Sequence, residues 1–420
     1  MPSPSADPAA ALLSLVRDGD RLLIGTGAGE PRSLLRLLID DVLPRRRGVE
    51  LIQVSIGGSE AIASAGGAHG HRVRLVAGGA EGAKALRAGT AELVPASMGT
   101  LAEMIGSGAL PVSGVLVAGV HAADGARVSP GLSVDLLPLA ARAARFRALE
   151  LNSALPATRS AGWISEPDCD LVLETADPPP TAPRSAVSDA QRIIGEHVAA
   201  LIPDGAVLEL GIGQGLQGVA GALVARQPRP RLAVHTGIIS DDVQLLVESG
   251  VVTGALPCGP GASVVATVAR GSAGFYEWLD DHPAVWMTDS LEAHDPRHLS
   301  GFELFIAVNS ASEIDLLGNV GAGNWNATLG GGGLPDFAEA GARRAGSVIA
   351  LESRNRHGAP KIVPHVARVQ LHATAVTHVV TEHGVAALRG ATARDRAERI
   401  LAIAHPADRE RLRAALPDLL

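Results

Sequence analysis

The chain has 420 residues, of which 46% are hydrophobic and 19% charged, and its formal net charge is −8. The length indicates two domains, and the hydrophobic content excludes a largely disordered protein. The acidic balance, with Arg45–Arg47 as the longest basic run, argues against a nucleic-acid-binding surface, so we expect no nucleic-acid partner.

The two cysteines, Cys169 and Cys258, form neither a disulfide framework nor a Cys-x-x-Cys metal pair. Residues Met1–Asp7 lack the basic start and apolar stretch of a signal peptide. No window approaches the roughly 20 apolar residues that a membrane-spanning helix needs. We therefore expect a cytoplasmic protein with no membrane partner.

The first half opens with a short strand that ends in a glycine turn. Asp18-Gly19 precedes the apolar run Arg21–Ile24, and Gly25-Thr26-Gly27 follows it. The apolar spacing after this turn predicts a helix that buries Leu34, Leu35 and Leu38. The other elements predicted in this half are a strand over Val112–Val120 and a helix over Leu137–Arg147.

A proline-rich segment divides the chain. Asp177–Pro183 contains four prolines, which exclude a helix interior or a central strand. We predict an N-terminal α/β domain over residues 1–180, a linker over about 177–186, and a C-terminal α/β domain over 187–420.

The second half begins as the first does. Asp204-Gly205 precedes the strand-like run Val207–Leu210, and Gly211-Ile212-Gly213 precedes a helical pattern. This ungapped match predicts an internal duplication, with two similar open α/β domains built on mainly parallel sheets. The other elements predicted here are a helix that buries Val219, Ala220 and Leu223, a helix over Asp241–Glu248 and a strand over Val285–Met287.

The glycines of Gly211–Gly218 resemble a dinucleotide-binding fingerprint, which also needs an acid after the next strand. The next apolar run, Leu232–Val234, is followed by His235-Thr236-Gly237, which has no acid. We therefore favour a tight turn between strand and helix over a nucleotide site.

Glu313 follows the apolar run Phe302–Val308 and has two interpretations. Ser310 and Glu313 have the spacing of a helix capping box. Alternatively, a carboxylate beside a strand end can act as a nucleophile. Because Ile314–Gly318 has the pattern of a short strand or turn, we favour the nucleophile.

Four glycines, Gly330–Gly333, come seventeen residues after Glu313. A flexible surface loop is one interpretation. The apolar residues on both sides favour a packed loop, in which the N–H groups of Gly331, Gly332 and Gly333 stabilise a developing oxyanion. The histidines have no metal-ligand spacing, and pairs such as His294-Asp295 are typical of surface or core polar groups, so we predict no metal site.

Several ordered segments together resemble the acetyl-CoA hydrolase/transferase family, which contains class I CoA-transferases such as 4-hydroxybutyrate and butyryl-CoA:acetate CoA-transferases. The resemblance covers nearly the whole chain. Its main segments are Gly131–Asp135, Asn152–Thr158, Leu208–Gly213, His235-Thr236, Val308–Leu316, Gly330–Phe337, Val380–Gly390 and Ile403–Pro406.

The resemblance implies the CoA-transferase fold and a homodimer. It implies transfer of CoA between an acyl-CoA and a small carboxylate through an acyl-glutamyl anhydride and a glutamyl-CoA thioester on Glu313, with CoA as substrate and product and no other cofactor. Lys361 and Arg389 are candidate partners of the CoA phosphates or else solvent-facing cations. The substrate- or CoA-binding residues we predict are Asn309, His235, Gly211, Gly213, Lys361 and Arg389.

The chain departs from the family pattern around the acyl and CoA pockets. The departures are Leu334 in place of Gln, Gly237 in place of a Glu that commonly follows His-Thr, Ala387 in place of Asp, and His383 in place of Tyr. These differences leave three interpretations: CoA transfer, hydrolysis by the same Glu313, and a weakly active CoA-binding homologue.

Overall fold

The computed structural model describes residues 7–54, 62, 65–76, 80–122, 125, 127–162, 164–182, 184–257, 259–321 and 332–416. Contacts group the described residues into two compact units. The first unit comprises the described residues of Met1–Pro183, Val265–Ala293 and Trp325–Gly332. The second comprises those of Arg184–Val264, His294–Asn324 and Gly333–Leu420. The first change of unit therefore falls inside the predicted linker, and Val265–Ala293 groups with the first unit.

The sheet of the first unit has the strand order β4-β3-β2-β1-β5-β7-β8, and these seven strands run parallel. An eighth, β6, pairs antiparallel with β5. Its strands are β1 (Arg21–Ile24), β2 (Glu50–Gln53), β3 (Arg72–Leu75), β4 (Glu92–Leu93), β5 (Gly114–His121), β6 (Val128–Ser129), β7 (Phe146–Asn152) and β8 (Leu171–Thr175).

The second unit contains the strand order β10-β9-β15-β18-β21-β22, in which only β22 is antiparallel to its neighbour. A smaller sheet of this unit has the order β19-β16-β17-β20. The remaining strands of the chain are β9 (Val207–Leu210), β10 (Ala233–His235), β11 (Ile238–Ile239), β12 (Val264–Ala266), β13 (Val268–Ala269), β14 (Val285–Met287), β15 (Phe305–Ser310), β16 (Glu313–Asp315), β17 (Val320–Gly321), β18 (Gly346–Ala350), β19 (Ile362–Val363), β20 (Val369–Leu371), β21 (His378–Thr381) and β22 (Gly384–Ala387).

Helices pack against strands of the two larger sheets. None of the helices that the structure describes is both long and apolar enough to cross a membrane. The α-helices are α1 (Pro8–Leu15), α2 (Arg32–Leu37), α3 (Ala80–Ala88), α4 (Met98–Gly106), α5 (Leu137–Ala143), α6 (Asp189–Leu201), α7 (Val219–Ala225), α8 (Asp241–Glu248), α9 (Ala273–Leu279), α10 (Ser290–Ala293), α11 (Pro296–Leu299), α12 (Leu334–Arg343), α13 (Ala393–Ala402) and α14 (Arg409–Ala414).

The predicted duplication is confirmed in the two sheets. β1 and β9 occupy equivalent positions. β1 lies between β2 and β5, and β9 lies between β10 and β15, so each has the strand that follows it on one side and a strand from later in the chain on the other. The strand order reverses beside each of them, which makes the carboxyl edge at β1 and at β9 a topological switch point. The leucines predicted after β1 are buried, as are Val219, Ala220 and Leu223 after β9.

Most of the predicted elements lie where the periodicity puts them, and the differences concern element ends. The helix predicted over Leu137–Arg147 ends at Ala143, because Phe146 begins the buried strand β7. The helix over Asp241–Glu248 and the strand over Val285–Met287 have the predicted bounds. The capping-box interpretation of Glu313 is excluded, since Glu313 begins β16 rather than a helix.

Candidate functional site

The carboxyl edge of the second unit carries a buried carboxyl group. Glu209 on β9 is 3% exposed, and its Oε2 accepts a hydrogen bond of 2.7 Å from Asn309 Nδ2 on the neighbouring strand β15. Burial raises the pKa of Glu209 to about 8, although hydrogen bonds from Asn309 and the Val308 backbone oppose the shift. At neutral pH this carboxyl group is therefore mostly protonated. The Asn309 side chain is hydrogen-bonded to the carboxyl group.

The glycine turn after β9 packs closely against β15. A Cβ atom on Gly211 would lie 2.9 Å from Asn309 Oδ1, and one on Gly213 would lie 1.6 Å from Ser310 Oγ. Because these contacts leave no room for a side chain, the glycines are required by the packing of two adjacent strands. The structure thus brings the glycine turn of Gly211 and Gly213 against the predicted residue Asn309 on β15.

Glu313 lies just beyond the carboxyl end of β15 and is partly exposed. Its side chain occupies the space that Gly321 leaves on the paired strand β17, because a Cβ atom on Gly321 would lie 2.8 Å from Glu313 Oε1. Partial burial raises the pKa of Glu313. A carboxylate that has lost part of its water shell is more basic and a stronger nucleophile.

The two predicted cations lie at opposite edges of the sheet. Lys361 immediately precedes β19, and its carbonyl accepts a 2.9 Å hydrogen bond from Ile314 N, next to Glu313. Burial lowers the pKa of Lys361, while Glu352 and Glu382 oppose the shift. Arg389 instead donates a hydrogen bond from Nη2 to Arg344 O, just before β18 begins. Only Lys361 is therefore near the carboxyl edge.

His235 ends β10 and is fully buried. Its ring lies 5.5 Å from that of His298 and 5.4 Å from that of Phe302. Phe302 also stacks near Phe305, and Phe305 near Phe337, so three of the chain's five phenylalanines gather here. His235 therefore packs within an aromatic cluster, which we call the aromatic wall.

A histidine and a carboxylate lie together beside this wall. His294 is 2% exposed, and its Nδ1 lies 3.4 Å from Asp336 Oδ2 on α12. The His294 ring packs on Phe337, with 4.6 Å between the ring centres. A Cβ atom on Gly237 would lie 3.4 Å from His294 Nε2, and one on Gly333 only 2.5 Å from His294 Cε1. The imidazole thus lies between two glycines, which we call the His294 niche (Gly237, His294, Gly333, Asp336 and Phe337).

The predicted oxyanion glycines separate in the structure. Gly331 lies outside the described residues. The carbonyl of Gly332 accepts a hydrogen bond from Met98 N at 3.0 Å. Gly333 directly precedes α12 and packs against His294. Of the two described glycines in this loop, Gly333 therefore belongs to the His294 niche, whereas Gly332 contacts Met98.

Sequence reasoning missed the pairing of His294 with Asp336. The histidine was assigned to a surface or core polar pair with Asp295, but Asp295 instead caps α11, where its Oδ1 accepts from Arg297 N. Asp336 was part of a segment that resembles a family motif, but no local pattern connects residues 42 positions apart. No group of three or more metal-ligating side chains occurs among the residues that the structure describes.

Comparison with known proteins finds a matching family model and full-length relatives. Residues 271–416 match the model of the acetyl-CoA hydrolase/transferase C-terminal domain. The chain is 28% identical over 409 residues to a 4-hydroxybutyrate coenzyme A transferase of Clostridium kluyveri, with 95% of this chain and 94% of that protein covered.

Two solved structures share the fold. RipA from Yersinia pestis superposes with a TM-score of 0.88 at 24% identity, covering 98% of this chain and 96% of that one. A 4-hydroxybutyrate CoA-transferase from Porphyromonas gingivalis superposes with a TM-score of 0.81 at 23% identity, covering 99% and 97%. These two structures confirm the predicted fold class, and the family-model match and the Clostridium kluyveri relative confirm the predicted family resemblance.

Proposed function

We propose that this chain, whose residues 271–416 belong to the acetyl-CoA hydrolase/transferase C-terminal family, transfers CoA between an acyl-CoA thioester and a carboxylate. The observation that carries this proposal is the similarity to a 4-hydroxybutyrate CoA-transferase over 95% of the chain and 94% of the relative. A match of that extent includes both units rather than a single shared domain, which supports the proposal.

The proposed nucleophile is Glu313. Its position beyond the carboxyl end of a central strand and its partial burial support this role, because ligands gather at that edge and a less solvated carboxylate attacks more readily. Lys361 is the proposed partner of CoA phosphates at the same edge. The roles of Asn309, His235, Gly211, Gly213, Gly331–Gly333 and Arg389 in substrate or CoA binding stay predictions.

The reaction has two matched halves. A carboxylate oxygen of Glu313 attacks the thioester carbonyl, the carbon–sulfur bond breaks, and CoA thiolate leaves, so that the acyl group and Glu313 form a mixed anhydride. The thiolate then attacks the Glu313 carbonyl, which releases the first carboxylate and leaves a glutamyl-CoA thioester. An acceptor carboxylate reverses these steps to form the new acyl-CoA. The free energy of CoA binding lowers both barriers if it is realised in the transition states.

CoA is substrate and product in this scheme, and the chemistry calls for no other cofactor. The homodimer that the resemblance implies and the cytoplasmic location expected from the sequence are part of the proposal. Light scattering of the purified 42.8 kDa chain tests the dimer, which requires about twice that mass.

Isotope exchange tests the function. The protein is incubated with several acyl-CoAs and labelled acetate or butyrate, and both exchange and a covalent CoA adduct are measured by mass spectrometry. We expect exchange in the parent chain, and a loss of about 100-fold or more together with the adduct in Glu313→Gln. The matched control is Glu303→Gln, since Glu303 is an exposed carboxylate just before β15.

Two results would contradict the proposal at different levels. Full exchange in Glu313→Gln removes Glu313 as the nucleophile but leaves the transferase standing. Absence of both exchange and adduct with every acyl-CoA overturns CoA transfer itself.

A further inference from the structure

The first unit contains a cavity whose residues have no part in the transfer mechanism. Its volume is about 270 Å³. This is at the small end of the range for ligand pockets, so the cavity suits a molecule of a few heavy atoms and is too small for CoA. All of its described lining residues fall between Val115 and Cys169. The cavity is therefore formed by the first unit alone.

The cavity lies towards the amino end of the sheet. Val115 and Arg147 are the second residues of β5 and β7, and they are partners in register on these parallel strands. Their side chains therefore project from the same face of the sheet. The helix α5 packs on β5 and supplies Ala141 and Arg142 to the same cavity. Since the reacting ligands of open α/β sheets gather at the carboxyl ends of strands, this position indicates a second site.

The walls of the cavity are mostly apolar. Val115, Val117 and Leu137 belong to the buried core of this unit, and Ile164 packs against that core. Cys169 also lines the cavity, and burial raises the pKa of its thiol to about 12. The thiol therefore stays protonated and brings no charge. Such walls favour a ligand that buries an apolar group.

Arg147 brings a fixed positive charge to this apolar cavity. Its Nε donates a hydrogen bond to Ala141 O at 2.7 Å, and its Nη1 donates to Asp168 O at 3.3 Å. These two carbonyls hold the guanidinium in place. A guanidinium has five N–H donors, and the other three have no hydrogen-bond partner among the residues that the structure describes.

A second arginine adds to this charge. Arg142 is exposed on α5 and lines the same cavity. Its charge opposes the rise that burial causes in the pKa of Asp289, but neither arginine forms an ion pair with a carboxylate in the described parts of the chain. Asp168, which is exposed, is the one carboxylate among the described lining residues. Two guanidinium charges and one carboxylate charge leave a net charge of +1, which attracts a small anion.

We propose that this cavity binds a small organic monocarboxylate, with the carboxylate on Arg147 and Arg142 and the apolar group against the valines of β5. The guanidinium fork matches the two oxygens of a carboxylate, and its anchoring by backbone carbonyls reduces the entropy lost on binding. The apolar walls favour a short alkyl or aromatic carboxylate over inorganic phosphate, which has no apolar part. Binding involves no covalent step, and the inference does not depend on CoA transfer.

Methyl NMR of the intact chain tests this site directly. The methyl groups of Val115, Val117 and Leu137 line the cavity, so their shifts report binding there and not at Glu313. The chain is titrated with butyrate, benzoate, butyramide and inorganic phosphate. We expect butyrate or benzoate to bind with a Kd of about 1 mM or lower. Butyramide lacks the charge and phosphate lacks the apolar group, so both should bind at least about tenfold more weakly.

Three variants separate charge from shape. Arg147→Gln and Arg142→Gln each remove one positive charge, and we expect the first to weaken butyrate binding by about tenfold or more. Ala141→Phe fills the cavity without changing its charge and should abolish the shifts. The matched control is Arg36→Gln, a change at an exposed arginine on α2 of the same unit, which should leave the Kd unchanged. Melting temperatures show which variants retain the fold, and the exposed position of Arg142 provides a test if Arg147→Gln does not.

The outcomes separate this inference from the transferase proposal. Absence of methyl shifts at about ten times the expected Kd overturns the site. Equal binding of butyramide or phosphate overturns the assigned ligand class, and unchanged butyrate binding in folded Arg147→Gln, Arg142→Gln and Ala141→Phe chains overturns the assigned residues. Butyrate shifts that depend on these residues support the inference whether or not the chain exchanges CoA, and CoA exchange without such shifts leaves only the transferase.

Discussion

Glu209 places an ionisable group in the interior of the second unit, and its surroundings decide its charge. Burial raises its pKa to about 8 from an ordinary value of 4.5. Asn309 donates one hydrogen bond to it but brings no positive charge. The protonated form is therefore the one that the folded chain accommodates, and the carboxyl behaves as a neutral hydrogen-bonding group that ties β9 to β15.

This gives a prediction for the pH dependence of stability. Between about pH 4.5 and 8 the unfolded chain has released the Glu209 proton and the folded chain still holds it. The contribution is thus fully present below pH 4.5 and is lost as pH rises towards 8, by up to about 1.4 kcal/mol for each pH unit. Replacing Glu209 with Gln keeps the hydrogen bond to Asn309 available and should remove this loss.

Urea unfolding from pH 5 to pH 8.5 measures the effect. We expect the free energy of unfolding of Glu209→Gln to exceed that of the parent chain increasingly as pH rises. The matched control is Glu398→Gln on α13, where an exposed carboxylate should give no such difference. A Glu209→Gln curve parallel to the parent curve over this range would show that Glu209 titrates normally in the folded chain.

At the scale of elements, the same sequence spacing has two outcomes in this chain. Ser188 and Gln191 form a true capping box, in which the Ser188 hydroxyl accepts from Gln191 N at 3.2 Å and the Gln191 side chain accepts from Ser188 N at 2.9 Å. Ser310 and Glu313 have the analogous spacing but lead into β16. The difference arises downstream, because helical periodicity continues through α6 whereas Ile314–Gly318 has none.

The cap of α6 therefore carries a measurable share of stability. Its removal in Ser188→Ala leaves Gln191 N, in the first turn of a thirteen-residue helix, without its side-chain partner, and this should cost about 1 kcal/mol. Ser188→Asp should retain most of the stability, since Asp caps as well as Ser. Thermal unfolding of the three chains tests the order. Equal melting temperatures for Ser188→Ala and the parent chain would mean that α6 is held by its buried face alone.

The sequence predicts those parts of the fold that local patterns determine. The strands β1 and β9, their glycine turns and the buried leucines after them follow from short-range periodicity, so the duplicated α/β plan was accessible. The His294 niche was not, because His294, Asp336 and Gly237 converge from distant parts of the chain. The burial of Glu209 was also hidden, since a single Glu in an apolar run does not reveal which face its strand buries.

The grouping of Val265–Ala293 with the first unit has a consequence for the whole molecule. Tyr276 on α9 donates a hydrogen bond from its hydroxyl to Pro180 O at 2.9 Å, and Ala182 N donates to Gly271 O at 2.7 Å. Both contacts tie this segment to the end of the N-terminal part of the chain. A division of the chain at the linker, which gives a domain over 187–420, therefore separates α9 from these contacts with Pro180 and Ala182.

We predict that a fragment of residues 187–420 does not order α9, although it contains the α9 sequence. In the full chain Phe275 and Leu279 are buried, and without their partners this apolar surface faces water, which favours local unfolding or association. Hydrogen–deuterium exchange compares the peptide covering Ala273–Leu279 in the fragment and in the full chain, and we expect its protection to be lost in the fragment. The peptide covering β15 serves as an internal control, because β15 pairs with β9 and β18 within the fragment. Full protection of α9 in a fragment that also protects β15 would contradict the prediction and support residues 187–420 as an autonomous domain.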